Sequence, residues 1–281
     1  MTGPDCAPDP PVIHPAPHRS VWVGLACIAL TLAWIADQLV VNPGFQWPTV
    51  ARYMLHPDVL RGVATTIELT AAVMALGTAA GVLLALMRLA PGRLLPLCAY
   101  AFTWFFRGVP VLVQLVFWYN LAALFPTLSL GIPFGGPKIA EISSTAAISS
   151  FLAALLGLGL NEAAYMGEII RAGLLSVDPG QRDASRALGY RPAQRLFVVL
   201  LPQAMRAIVP PAGNQVIGML KFTSLASVVA LSELMNSVEN IYTRTFETVP
   251  LLIVAALWYL ILVSALSAVQ AAIERFYGRG A

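Results

Sequence analysis

The stretch DPGQRDASRALGY (178–190) packs Asp178, Arg182, Asp183 and Arg186 into one short segment of a chain that is otherwise almost bare of charge. Of its 281 residues, 58% are hydrophobic and 11% charged, where an ordinary soluble domain carries roughly 25% charged residues. That is the composition of a chain whose solvent is mostly lipid. The segment nevertheless has every signal of a short helix. Asp178 is a good N-cap, Pro179 suits the first helical position, and Gln181 stands third, a capping-box pattern. Gly189 ends the helix. Ala184, Ala187 and Leu188 fall on one face, and Arg182 and Arg186 lie one turn apart on another. A helix of about ten residues is marginal alone in water, so it must dock. Two readings stand: a connector lying on the lipid headgroups, or a peg for a cytoplasmic partner, whose carboxylates the arginines would meet.

Outward from this segment, six runs are long and apolar enough to cross a bilayer: 21–41, 61–88, 98–125, 144–174, 205–235 and 249–273. The expected fold is an all-α integral membrane protein of about six transmembrane helices. Pro210, Pro211 and Gly213 predict a break or kink in the fifth. Residues 1–20 hold six prolines and read as a disordered tail. The apolar run behind them is too long for a signal peptide and reads as an anchor. The chain then divides into the tail 1–20, an additional N-terminal helix with its outer loop (21–57), a transmembrane domain (58–275) and a short tail (276–281). The loop 126–143, rich in Pro and Gly, reads as an ordered surface turn region.

Basic residues set the orientation. With the N-terminus inside, the cytoplasmic pieces carry twelve Lys and Arg against four outside. Both termini and the 178–190 segment are then cytoplasmic. Cys6, Cys27 and Cys98 show no paired spacing, and His14, His18 and His56 form no metal motif. Only two lysines exist, Lys138 after Pro and Lys221 after Leu. No Gly-Lys-Ser/Thr phosphate loop can be written on this chain. An enzyme would need a nucleophile–base pair or metal ligands within the spans, and no His lies deep in any of them.

The residues carry a family resemblance. DASRALG followed by YRPAQRLFV and VLLP resembles the EAA loop of ABC-importer permeases, with Asp183, Ala184, Ser185, Gly189, Val199, Leu201 and Pro202 at the matching positions. Asp stands for Glu, Ser for Ala and Val for Ile. FRGVPVLVQ (106–114), AAYMGEIIRAGLLSV (163–177), LPQAMRAIVPPAGNQVI (201–217) and MLKFTSL (219–225) are similar to the polar amino-acid (histidine, glutamine or glutamate) branch of these permeases. Phe222 departs from the acid that this branch often has there. The likeness covers about residues 58 to 275.

The resemblance implies a bacterial inner-membrane, multi-pass subunit that translocates a polar amino acid by alternating access. Asp183, Ala184, Ser185, Arg186 and Gly189 would form the coupling helix that engages a separate ATPase, the 178–202 loop carrying its motion. It implies no cofactor in this chain, ATP and Mg being bound by the partner. It also implies ATPase subunits, a second permease chain in a homo- or heterodimer, an extracytoplasmic solute-binding protein and no nucleic acid. The outer loops 42–58 and 126–143 would receive the binding protein. A permease of the same architecture for another small solute, and an ion-coupled carrier acting alone, are the alternatives.

Ionisable residues inside a span face a cavity or a partner. Glu68, Glu162, Glu168, Lys221 and Glu233 are such residues. Glu162 would receive the ammonium or cationic side chain of an amino acid, or else bond a neighbouring helix. Glu168 fits helix packing or gating better. Thr65 and Thr66 bring hydroxyls near Glu68, unless these bond their own helix carbonyls. Lys221, Thr223 and Ser224, in KFTS, offer donors for a carboxylate where the span is interrupted. A Lys221–Glu233 pair is the plainer alternative. Asn214 beside Gly213 would line a polar path. Gly77 and Gly81 have the spacing that lets two helices approach closely. Trp104, Trp118, Tyr119 and Trp258 read as anchors or packing residues.

Overall fold

The computed structural model describes residues 19–131, 138–143 and 148–278. The expected disorder of the N-terminal tail, His14, His18 and Cys6 therefore fall outside the described residues. The chain divides into two compact units, Met1–Gln46 and Trp47–Ala281. The first contains α1 (Arg19–Val41) and a 3-10 turn at Pro43–Phe45, closed by the Asn42 side chain accepting from the Gly44 N–H at 2.9 Å.

The second unit opens with α2 (Trp47–Met54) and the long α3 (Pro57–Leu89). Residues 47–54, part of the outer loop 42–58 read from sequence, thus form a helix that packs into the larger unit. Val50 and Tyr53 are buried in one cluster with Val59, Leu234 and Leu251. Then come α4 (Leu94–Gly108), α5 (Val111–Tyr119) and the single turn α6 (Leu121–Leu124). Two short antiparallel strands follow, β1 (Thr127–Gly131) and β2 (Lys138–Ser143), with Thr127 opposite Ser143. The Pro/Gly-rich loop is therefore flanked by a small hairpin.

Apart from a single turn at Pro192–Gln194, the remaining helices are α7 (Ser150–Leu175), α8 (Pro179–Ala187), α9 (Leu201–Phe222), α10 (Leu234–Thr245) and α11 (Thr248–Gly278). A π-helical stretch, Arg195–Leu200, leads into α9, and a 3-10 stretch, Thr223–Val229, leaves it. The prolines do not break α9: Pro210 and Pro211 lie inside a continuous helix. The interruption comes after Phe222, where the 3-10 turns end on Ala230 in the left-handed conformation (φ 54°).

Among the described residues, α1, α3, the 192–229 segment and α11 are long and apolar enough to cross a membrane, and α4 with α5 makes a fifth if counted as one span bent by 97°. The sixth run expected from sequence is α7, apart from 144–147, which lie outside the described residues. Asn161, Glu162, Glu168 and Arg171 dilute its apolarity. At 26 residues it is about 39 Å long, enough for a bilayer core of about 30 Å.

Packing centres on α3 against α7. A Cβ on Gly77 would stand 2.6 Å from the Glu162 Cγ, and one on Gly81 2.9 Å from the Gly167 nitrogen. Only glycine allows these backbones so near each other. The bend between α4 and α5 is supplied from the sides. Pro110 cannot continue α4, and the freed carbonyls of Phe106 and Val109 each accept from the Gln114 amide at 2.9 Å. Asn161 of α7 donates to the Phe106 carbonyl at 2.6 Å. In a membrane such exposed carbonyls must find protein donors.

Candidate functional site

α8 forms as its sequence dictates. Asp178 accepts from the Gly180 N–H at 2.7 Å, and Pro179 occupies the first turn. At the other end Gly189 takes φ +75°. Its N–H reaches the Arg186 carbonyl at 2.9 Å, and the Tyr190 N–H reaches the Ser185 carbonyl at 3.1 Å. That pair of bonds is a Schellman stop, which favours glycine at the left-handed position. Gln181 departs from the capping-box expectation: its side-chain oxygen accepts from Gln203 of α9 at 3.3 Å.

Asp183, Ala184, Arg186, Ala187, Leu188 and Gly189 are all exposed, Leu188 to 76%. Asp183 and Arg186 face each other at 3.4 Å, but both are well exposed, so the pair is weak and open to exchange. Ser185 is different: it is 2% exposed, with its hydroxyl on the Arg182 carbonyl at 2.8 Å. It seats the helix instead of presenting a group. Arg182 also turns inward, donating to the Leu174 carbonyl of α7 at 2.6 Å. The two arginines thus do not act together on one face.

The interior residues separate into three places. Glu162 is 1% exposed, its Oε1 has no hydrogen-bond partner, and its stem lies against Gly77. Thr66, Thr223 and Glu233 instead meet in one buried knot. Glu233 caps α10, accepting from the Met235 and Asn236 N–H groups at 2.8 Å each and from the Tyr259 hydroxyl at 3.1 Å. Thr66 accepts from the Leu234 N–H at 3.1 Å, and the Tyr259 hydroxyl also interacts with Thr66 and Thr223. The Thr223 hydroxyl donates to the Leu220 carbonyl at 2.7 Å, and that of Ser224 to the Lys221 carbonyl at 2.7 Å. Lys221 is exposed, and the plainer Lys221–Glu233 pairing does not form. Glu68 is exposed on α3, away from Thr66 on the buried face. Asn214 accepts from Gln270 at 3.2 Å, beside a cavity of about 540 Å³ lined by Met74, Met166, Met205, Val269 and Gln270.

Glu168 holds a third place. Arg171 binds it at 2.7 Å and Arg88 of α3 lies at 3.8 Å. Arg107 stacks over the neighbouring Tyr165 at 5.0 Å. Through Arg88, Glu168 ties α7 to α3. Among the described residues, no three His, Cys, Asp or Glu side chains group as a metal site.

Sequence reasoning missed Tyr259 and the support of the α4–α5 bend by Gln114 and Asn161. Tyr259 is a hydroxyl in an otherwise apolar run, and Gln114 stands one turn beyond Pro110; these were the available signals.

The family model described as "Binding-protein-dependent transport system inner membrane component" matches residues 77–279. The chain is 40% identical over 275 residues to the arginine transport system permease protein ArgU of Corynebacterium glutamicum, covering 97% of this chain and 85% of that one. It is 32% identical over 219 residues to the arginine transport system permease protein ArtQ of Bacillus subtilis, covering 78% and 92%. Among solved structures, an amino acid ABC transporter crystallised with histidines superposes with a TM-score of 0.65 at 32% identity, over 78% of this chain and 94% of that one. The chain belongs to the family of binding-protein-dependent transport system inner membrane components: it is a multi-pass ABC-importer permease, a transport subunit and not a catalytic one.

Proposed function

We propose that this chain forms the membrane path for a polar amino acid of the arginine type and is driven by a separate ATPase gripping α8. The observation that carries the reading is the state of α8: firmly capped at both ends, yet exposed along the face that holds Asp183, Ala184, Arg186, Ala187 and Leu188. A short helix finished so carefully and left uncovered is built for a partner. The bias of basic residues supports placing α8 and both termini on the cytoplasmic side. The partner would bind ATP and Mg and close on α8. The permease, paired with a second permease chain, would then alternate between outward- and inward-facing states. An extracytoplasmic binding protein would deliver the solute.

Glu162 is the candidate contact for a cationic solute group. Burial of a carboxyl with an unpartnered oxygen is costly, and a transient cation would offset that cost. The relatives named for arginine transport support this solute class. Thr66 and Thr223 are assigned to the scaffold around Glu233. Lys221 remains a candidate donor for a solute carboxylate. Cysteine at exposed Ala187 should crosslink to the ATPase subunit in the assembled transporter. Capture of lipid alone would show that α8 is only a surface connector.

A further inference from the structure

α7 ends at Leu175 with no basic residue in its last turn, so its terminal carbonyls and the negative end of its dipole lack a cation of their own. Arg182 supplies one from the next helix. Its Nη2 donates to the Leu174 carbonyl at 2.6 Å, and its Nε is buried without a partner. The Ser185 hydroxyl, bonded within α8 to the Arg182 carbonyl at 2.8 Å, holds the backbone of the same turn. Beneath it, buried Val177 joins Leu174, Ile170, Ala204 and Ile208 in one apolar cluster. The corresponding tie from α8 to α9, Gln203 to Gln181, is uncharged and longer at 3.3 Å. A charge-assisted bond is the stronger of the two.

Only Ser176, Val177 and Asp178 separate α7 from α8. Without a lock, that corner is a hinge that would absorb a push on α8. We propose that Arg182 is a positioning residue that locks α8 to α7. Displacement of the coupling helix then moves α7 as a rigid lever, together with Glu168 and Glu162. This rests on the reading that α8 receives the ATPase. Arg182 itself stays clear of the partner; it acts through the Leu174 carbonyl.

The test uses the full transporter, with its ATPase and binding protein, in vesicles, and counts solute imported per ATP hydrolysed. Arg182→Ala should keep the ATPase bound and hydrolysing, while solute per ATP falls by about fivefold or more. Arg182→Lys, which can still donate to the carbonyl, should recover more than half of the loss. Spin labels at Ala172 and Tyr190, the latter just past α8 and outside the docking face, should hold one separation through turnover in the parent protein and broaden in Arg182→Ala. An unchanged solute-to-ATP ratio in Arg182→Ala overturns the proposal. So does failure of both variants to assemble, which would make Arg182 a folding residue. Failure of the docking reading is separate: it would remove the Ala187 crosslink to the ATPase from the parent protein itself.

Discussion

Glu162 and Glu233 are both carboxyl groups shut away from solvent, 1% and 0% exposed, yet their surroundings are opposite. Glu233 is saturated by two backbone N–H groups and a tyrosine hydroxyl. Glu162 keeps one oxygen with no partner, and its stem lies against Gly77 of α3. A buried acid whose bonds are all spent on its own chain is scaffold. The open acceptor of Glu162, on the helix that leads directly to α8, is what makes it the proposed contact for a solute. Burial alone does not separate the two; the partner inventory does.

The contrast can be broken most forcefully at Glu233. Glu233→Leu removes the α10 cap, leaves the part-buried Met235 and Asn236 N–H groups without their acceptor and takes the carboxylate from the Tyr259 hydroxyl, which should cost about 3 kcal/mol or more. Little folded, monodisperse protein should then survive in detergent; a normal yield and unfolding midpoint would show that the knot is dispensable. Next is Gly77→Ala, whose Cβ would stand 2.6 Å from the Glu162 Cγ. Overpacking there should destabilise by about 2 kcal/mol. The loss should shrink when Glu162→Ala is made in the same chain, a coupling that a double-mutant cycle of unfolding midpoints measures.

Gly189→Ala places a side chain at φ +75°, and should cost about 1 kcal/mol, confined to the α8 corner. Faster hydrogen exchange in 178–190, with the rest of the chain unchanged, is the expected signature. The smallest effect on stability belongs to Glu162→Gln, which keeps the shape and takes away the acid: about 1 kcal/mol or less. Its effect should appear in transport as weaker handling of a cationic solute. Unchanged uptake kinetics would make Glu162 a second scaffold acid.

Local features were legible in the sequence. The Asp178 cap, Pro179 and the Gly189 stop act over a few residues, so α8 could be written from its text alone. The apolar runs gave the long helices for the same reason. Distant pairings could not be read. Thr66 meets the Leu234 N–H across 168 residues, and Trp258 donates to the Met54 carbonyl across 204. Thr66 and Thr223, expected from sequence along the solute path, are bonded to α10 and α11. The prolines of α9 suggested a break that comes one segment later, because a helix in a bundle can run through Pro when neighbours satisfy the freed groups. The inward turn of Arg182 was equally hidden, since periodicity places a side chain on a face without saying what lies opposite it.

The most direct test of the account is uptake of labelled arginine into vesicles that contain this permease alone or assembled with its ATPase and binding protein. Accumulation against a gradient only in the assembled vesicles, dependent on ATP and abolished when α8 is crosslinked out of reach of the ATPase, is the predicted result. Uphill accumulation by the permease alone would contradict it.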